Sequence, residues 1–261
     1  MECLRRIGHN TATVGMNEDL VSVVDLVDHA IRQGELTPHQ RAAVVALDKG
    51  LTLPQRQQLT ADWRAQGSPA AARPLAVPYF AQLDSATGHG FRMCFSSTCA
   101  MAASFLKPGC LDGQGQPDDR YLLLVERFGD TTDPQAQIRA LATLGIRARF
   151  RQDGSMEALT RQIAQGVPVP VGWLHKGPLV SPAGGGHWTL AIGWDSATRE
   201  VIMHDPNGEA NLVGGNYVTT AVGSGKGARY SAENWGRRWM AGPGGPYRFT
   251  PGTGWWLELS R

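Results

Sequence analysis

Four residues in this chain have the types and the order that nucleophilic acyl chemistry needs: Gln82, Cys94, His187 and Asp205. Cys94 lies in VPYFAQLDSATGHGFRMCFSSTCAMAASFL, from Val77 to Leu106, where a glycine-containing loop gives way to an alanine-rich helical pattern. The unpaired N–H groups and positive dipole end of a helix favour an anion, so a cysteine at a helix start is expected to favour thiolate over thiol. A thiolate nucleophile works with a general base, and the base with an orienting group. His187 follows a glycine run in GGGHWTLAIGWD, and Asp205 closes the apolar segment of REVIMHDPNG. Gln82 can supply an N–H to an oxyanion. Plainer readings stand beside these. Cys99 and Cys110 read as small buried hydrophobes, with Cys99, one and a half turns into the helix, as the rival nucleophile. Gln82 could cap a turn and His187 could be a structural histidine. Asp195 and Asn207 are alternatives for the orienting role. His9, His89 and His175 sit in polar or glycine-rich surroundings and read as surface residues.

These side chains need elements that bring them together. A short strand is expected before Gln82, and a helix from Cys94 to the Pro108-Gly109 stop. Two apolar strands joined by a turn from Asp195 to Glu200 form a hairpin that sets His187 and Asp205 near one end of a sheet. Strand alternation sends His204 and Asp205 to opposite faces, so only one of them can face Cys94. Between the cysteine and the histidine the pattern predicts a helix over Tyr121 to Phe128 and another from the Asp133-Pro134 cap to Leu144, stopped by Gly145. A strand over Ile146 to Phe150, a helix from Ser155 to Gly166 and a strand over Val167 to Trp173 follow. Beyond Asn207 the chain is glycine-rich until a last strand in TGWWLEL. Trp235, Arg237, Arg238 and Trp239 are candidates to line a groove.

The order of the four residues resembles that of papain-like cysteine peptidases. The local motifs resemble one branch more closely, the double-glycine leader peptidases and their stand-alone relatives in bacteria and phages. That branch has a VPYF-Q segment before a cysteine-led helix with an Ala100-Met101 pair, then Gly186-His187, then Asp205-Pro206. The resemblance covers Leu75 to Asn207, and YSAENWGRRW and PGTGWWLEL resemble the ends of phage-type members. Phe95 departs from the Gly or Asn that such relatives often carry after the cysteine, which alters the pocket. The resemblance implies an α+β papain-like fold, a helical half with the nucleophile helix packed on an antiparallel sheet. It implies a thiol endopeptidase without a cofactor. Cys94 attacks, His187 moves the proton, Asp205 holds the imidazole, and Gln82 with the Cys94 N–H binds the oxyanion. A bound peptide would contact Trp188 or the Trp235 to Trp239 segment. The expected substrate is the peptide part of peptidoglycan, as for an endolysin. The alternatives are cleavage after a double-glycine leader, acyl transfer to an amine, and a catalytically silent phage or bacterial binding or structural protein on this scaffold.

Length and composition bound the rest. The 261 residues fit one domain with an appendage. Residues 1–66 read as a small helical appendage, 67–74 as a linker (GSPAAARP), and 75–261 as the peptidase domain. Glu18 to Gln33 has apolar residues at helical spacing, and two Thr-x-x-Gln capping boxes follow, at Thr37 and Thr52. The appendage is expected either to bind a partner or to pack as a cap. A net charge of +2 gives no argument for nucleic acid. Cys3, Cys94, Cys99 and Cys110 form no C-x-x-C, which points to a reducing compartment. Cys94, Cys99, Cys110 and His187 match no zinc-site spacing, so no metal is expected. The Gly184 to Gly186 run lacks a following Lys-Ser/Thr and is no phosphate loop. The N-terminus has no apolar stretch behind its basic residues and no run reaches ~18 apolar residues. The chain is therefore expected in the cytoplasm as synthesised, reaching a cell wall only through other machinery. No heptad or repeat sets an oligomeric state.

Overall fold

The computed structural model describes residue 52 and residues 74–196, 198–241 and 253–260. The expected helical appendage, most of the linker, Cys3 and His9 lie outside these described residues. The chain divides into two units, residues 1–73 with 195–200, and residues 74–194 with 201–261. The second unit holds the candidate site.

Five helices and eight strands are described. Helix α1 is Cys94–Leu106, α2 Pro117–Glu126 and α3 Pro134–Thr143. Strand β1 is Arg147–Gly154, helix α4 Met156–Ala164 and strand β2 Val169–Trp173. The hairpin is β3, His187–Asp195, and β4, Glu200–His204. Then come β5, Glu209–Ala210, β6, Tyr217–Thr219, β7, Lys226–Ser231, helix α5, Ala232–Trp239, and β8, Gly254–Ser260. Local chemistry explains most boundaries. Proline opens α2 and α3, where a missing N–H costs nothing. Asp133, Ser155 and Ser231 cap α3, α4 and α5 by accepting from Gln135 N, Ala158 N and Asn234 N. Gly145 and Gly166 follow their helices at φ 76° and 77°, a conformation that suits glycine.

Six strands form one sheet in the order β1-β8-β2-β3-β4-β7, with β1–β8, β8–β2 and β2–β3 antiparallel. The last strand therefore lies inside the sheet, and Trp256, Leu257 and Leu259 of β8 are buried. Period-two alternation divides the sheet residues between two cores. Leu190, Ile192, Ile202, Leu257 and Leu259 join Phe95, Met101, Tyr121 and Leu141 of α1 to α3. Val169, Val171, Trp173, Ala191, Val201, Met203 and Trp256 join Leu159 and Ile163 of α4 with Trp235 and Trp239 of α5. The class is α+β with a papain-like division into a helical half and a sheet half.

The structure departs from the sequence reading in several places. Val77 to Phe80 forms no strand; Leu75 N bonds Ile192 O, and Gln82–Asp84 is a 3-10 turn. Helix α2 begins at Pro117, before the expected Tyr121, because Pro117, Asp118 and Asp119 make a good first turn. Strand β1 runs on to Gly154 along β8. The glycine-rich stretch after Asn207 holds β5, β6, β7 and α5, with strands of two and three residues too short to show a period.

Candidate active site

Cys94 is the first residue of α1 and is partly exposed, and no side chain caps the helix start. The first-turn N–H groups therefore remain available to an anion beside the thiol. Three consecutive buried hydroxyls behind it fix the helix in three directions. Ser96 Oγ lies 2.7 Å from Thr131 Oγ1 and accepts from Gln137 Nε2 at 2.9 Å. Ser97 Oγ donates to Asp118 Oδ2 at 2.7 Å, and Thr98 Oγ1 donates to the Trp188 carbonyl at 3.1 Å. The last bond ties α1 to the start of β3, one residue from His187.

His187 opens β3 and Asp205 follows β4 directly, so the hairpin register brings the two together. Their Nε2 and Oδ1 atoms are 2.7 Å apart, with both side chains buried. Asp205 Oδ1 also accepts from Asn207 N at 3.0 Å, Oδ2 accepts from the Tyr230 hydroxyl at 2.9 Å, and the Asp205 carbonyl accepts from the Tyr79 hydroxyl at 2.9 Å. Burial alone would drive the His187 imidazolium to lose its proton. The Asp205 carboxylate, its hydrogen bond and the hydrogen bond to Cys94 outweigh that, and the pKa is raised to about 10. With Nε2 facing Asp205, Nδ1 is the nitrogen left for the thiol. The arrangement can hold a thiolate–imidazolium pair and pass a proton between them.

Gln82 reaches the site through its backbone, since its N–H donates to the Pro206 carbonyl at 2.9 Å. Its side chain is 2% exposed; Nε2 donates to the Gly90 carbonyl at 2.8 Å, while Oε1 has no partner. An amide has two N–H bonds, and the contact with Gly90 uses one of them. Gly90 allows this approach, because a Cβ there would lie 2.6 Å from the Gln82 carbonyl oxygen. Asp119 steadies the loop by accepting from Ser85 Oγ at 2.5 Å and Ala86 N at 2.9 Å.

The remaining candidates fall as follows. Trp188 is half-buried and stacks on Phe95 with centroids 3.6 Å apart and planes 3° from parallel. Gly172 gives its indole room, as a Cβ there would sit 2.9 Å from it. Cys99 is fully buried and its thiol pKa is pushed well up, chiefly by burial. Cys110 is half-buried and donates to the Ala103 carbonyl at 3.5 Å. Asp195 is at the far end of β3 from His187. Asn207 supports Asp205 through its backbone. His204 faces away, as alternation requires: its Nδ1 accepts from Gly227 N at 3.1 Å, so Nε2 carries the proton and donates to the Val77 carbonyl at 3.0 Å.

Two expectations are corrected. Trp235, Arg238 and Trp239 do not line a groove; they are 0%, 0% and 1% exposed, because the two indoles stack in the core and the guanidinium bonds backbone carbonyls. Arg237 alone of the four is exposed, beside Glu233. His175 is not a surface residue: its ring lies 5.4 Å from that of His187, with Nδ1 buried. His89 does lie at the surface, near Glu126. Tyr79, Trp173, His175, Tyr217 and Tyr230 escaped the sequence reading as site residues. Only Tyr79 carried a signal, its place in VPYF. Among the described residues no group of three or more His, Cys, Asp or Glu could hold a metal, and no helix is long and apolar enough to cross a membrane.

No curated protein matches the chain. Solved structures similar to it include the following two. One is the peptidase domain of Streptococcus ComA, a bi-functional ABC transporter involved in a quorum sensing pathway, at 17% identity and a TM-score of 0.38, covering 65% of this chain and 92% of that one. The other is a C39-like peptidase from Bacillus anthracis, at 13% identity and a TM-score of 0.38, covering 62% and 96%. The model of the Peptidase_C39 like family matches residues 74–232, which hold Gln82, Cys94, His187 and Asp205. The chain belongs to the Peptidase_C39 like family and is a cysteine peptidase.

Proposed function

We propose that the chain cleaves peptide bonds with Cys94 as nucleophile, His187 as general base and acid, and Asp205 as the group that orients the imidazole. The observation that carries this is the buried 2.7 Å contact of His187 Nε2 with Asp205, which leaves the other ring nitrogen for a thiol at an uncapped helix start. Cys94 Sγ attacks the scissile carbonyl carbon, and the carbonyl π electrons move onto its oxygen. The second Gln82 N–H and the Cys94 backbone N–H donate to that oxyanion. His187 then gives its proton to the leaving amine, the C–N bond breaks, and a thioester remains. Water, deprotonated by His187, attacks the thioester and releases the acid and the thiolate. Trp188, held by Phe95, is assigned to the substrate groove.

For substrate we propose the peptide part of peptidoglycan, supported by the resemblance of the tail segments to phage-type members. A peptide cut after a double glycine is the second reading, supported by VPYF-Q, Gly186-His187 and Asp205-Pro206. The test has two stages. Iodoacetamide labelling, followed by mass spectrometry from pH 5 to 9, is expected to modify Cys94 alone. Labelling should slow in His187→Ala. Purified protein is then expected to release free amino groups from peptidoglycan, with Cys94→Ala inert. Full activity in Cys94→Ala sinks the nucleophile assignment. Cleavage of a double-glycine leader without release from peptidoglycan transfers the reading to the second substrate.

A further inference from the structure

His175 is the nearest titratable neighbour of the proposed catalytic imidazole that the mechanism does not use. It follows β2, and its ring is one of three around His187. The centroid of His175 lies 5.4 Å from that of His187, Trp173 5.6 Å and Tyr217 5.7 Å. His175 also meets Trp173 at 6.5 Å and Tyr217 at 6.0 Å.

The backbone that presents this ring is held unusually firmly. The His175 carbonyl accepts from Asn216 N at 2.6 Å. Arg238, fully buried, donates to the Leu174 carbonyl at 3.1 Å, the Lys176 carbonyl at 3.2 Å and the Gly177 carbonyl at 2.8 Å. Leu174 N donates in turn to the Arg238 carbonyl at 3.2 Å, and Lys176 and Ala183 exchange two backbone bonds. Four consecutive carbonyls are thus fixed, and a buried guanidinium fixes three of them. That is the support expected of a side chain whose position matters.

The ring itself is asymmetric. Its Nδ1 is buried without a partner, whereas the residue as a whole is only half-buried. A buried orphan N–H is rarer than an orphan acceptor, so the proton belongs on Nε2. Burial first, then the charges of His187, Lys176 and Arg238, push the His175 pKa down to about 3, so between about pH 3 and about pH 10 the ring is neutral while His187 is charged. Tyr217, the remaining titratable group against it, also stays neutral, its pKa raised chiefly by burial.

We propose that His175 is a substrate-positioning residue, whose Nε2–H donates a hydrogen bond to a backbone carbonyl of the peptide next to the scissile bond. Nothing in the covalent steps changes; the contact holds the extended chain against the wall formed by His175 and Tyr217. Because the donor is neutral, it aligns a peptide carbonyl without selecting an acidic side chain. This inference rests on the cleavage reading above.

The experiment compares wild type, His175→Phe and His175→Gln on peptidoglycan and on a double-glycine leader peptide, with iodoacetamide labelling of Cys94 as a control. Phe keeps the ring packing and removes the donor; Gln restores an N–H near the Nε2 position. His175→Phe is expected to raise KM about 3- to 10-fold, the range of one neutral hydrogen bond, with kcat little changed. His175→Gln should recover most of the loss, and both variants should label at the wild-type rate. Unchanged KM in His175→Phe overturns the inference, and so does slowed labelling in both variants, which would mark the ring as structural support for His187. Wild type that cleaves neither substrate overturns the cleavage reading, and the inference with it. These failures are distinct, since one is read in wild type and the others only in the variants.

Discussion

The proton on His187 is worth following beyond catalysis, because its affinity differs between folded and unfolded chain. Asp205 and Cys94 raise the folded pKa from 6.5 to about 10 against the opposing effect of burial. A raised basic pKa contributes stability that is complete below the unfolded value and lost as pH rises through the folded one. The urea midpoint of wild type should therefore exceed that of His187→Gln most below pH 6.5, and the gap should shrink as the pH approaches 10. A gap unchanged between pH 6 and pH 10 would show that the imidazolium is not held this way. The same ring explains what could be read from sequence at this scale. Cys94, His187 and Asp205 stand at a helix start, after a glycine and before a proline, so their positions on elements were legible, and Gln82 was read from its place in VPYF-Q. His175 was not, because Trp173, Tyr217 and Arg238 bury it, and two of these lie more than forty positions away, as their numbering shows. The environment of a side chain is set by what folds onto it, and local polarity carries no trace of that.

The helix start is where the elements do most for the site. Ser96, Ser97 and Thr98 anchor α1 to the Thr131 region, to α2 and to β3, and the sequence shows them only as small residues in an alanine-rich run. Asp118 is the most exposed to question among these anchors. It is buried, accepts from Ser97 through Oδ2, and has no partner for Oδ1. Burial above all raises its pKa from 3.8 to about 6, so ionising it costs the folded state stability that the unfolded state does not lose. The cost is absent below pH 3.8 and complete above about pH 6. Asp118→Asn keeps an acceptor for Ser97 and removes the titration. Measured by urea unfolding, it should gain on wild type as pH rises from about 4 to about 6. A difference that stays flat over that interval would contradict the buried charge. Helix and strand order were legible here because Asp133, Ser155, Gly145 and Gly166 punctuate the chain, whereas the start of α2 at Pro117 was not read. Strands β5 and β6 were not, since two or three residues are too few to display alternation.

Over the whole molecule, the residue that joins most distant parts is Arg238. It reads in sequence as a basic residue between two tryptophans, suited to an outer groove. In the fold it bonds the carbonyls of Leu212, Leu174, Lys176 and Gly177, and so binds α5 to the segment after β2 and to the hairpin beyond β5. Arg238→Met keeps much of the packing and strands those acceptors. A loss of about 3–5 kcal/mol in urea unfolding is expected, with faster amide exchange at residues 174–177. A loss under about 1 kcal/mol would mean that water replaces the guanidinium easily. Strand β8 has a consequence of another kind. It pairs with β1 and β2 on either side, with Arg151 opposite Trp256. The strands β1 and β2 meet only through β8, so removing β8 would leave both with an unpaired edge open to pairing with another chain.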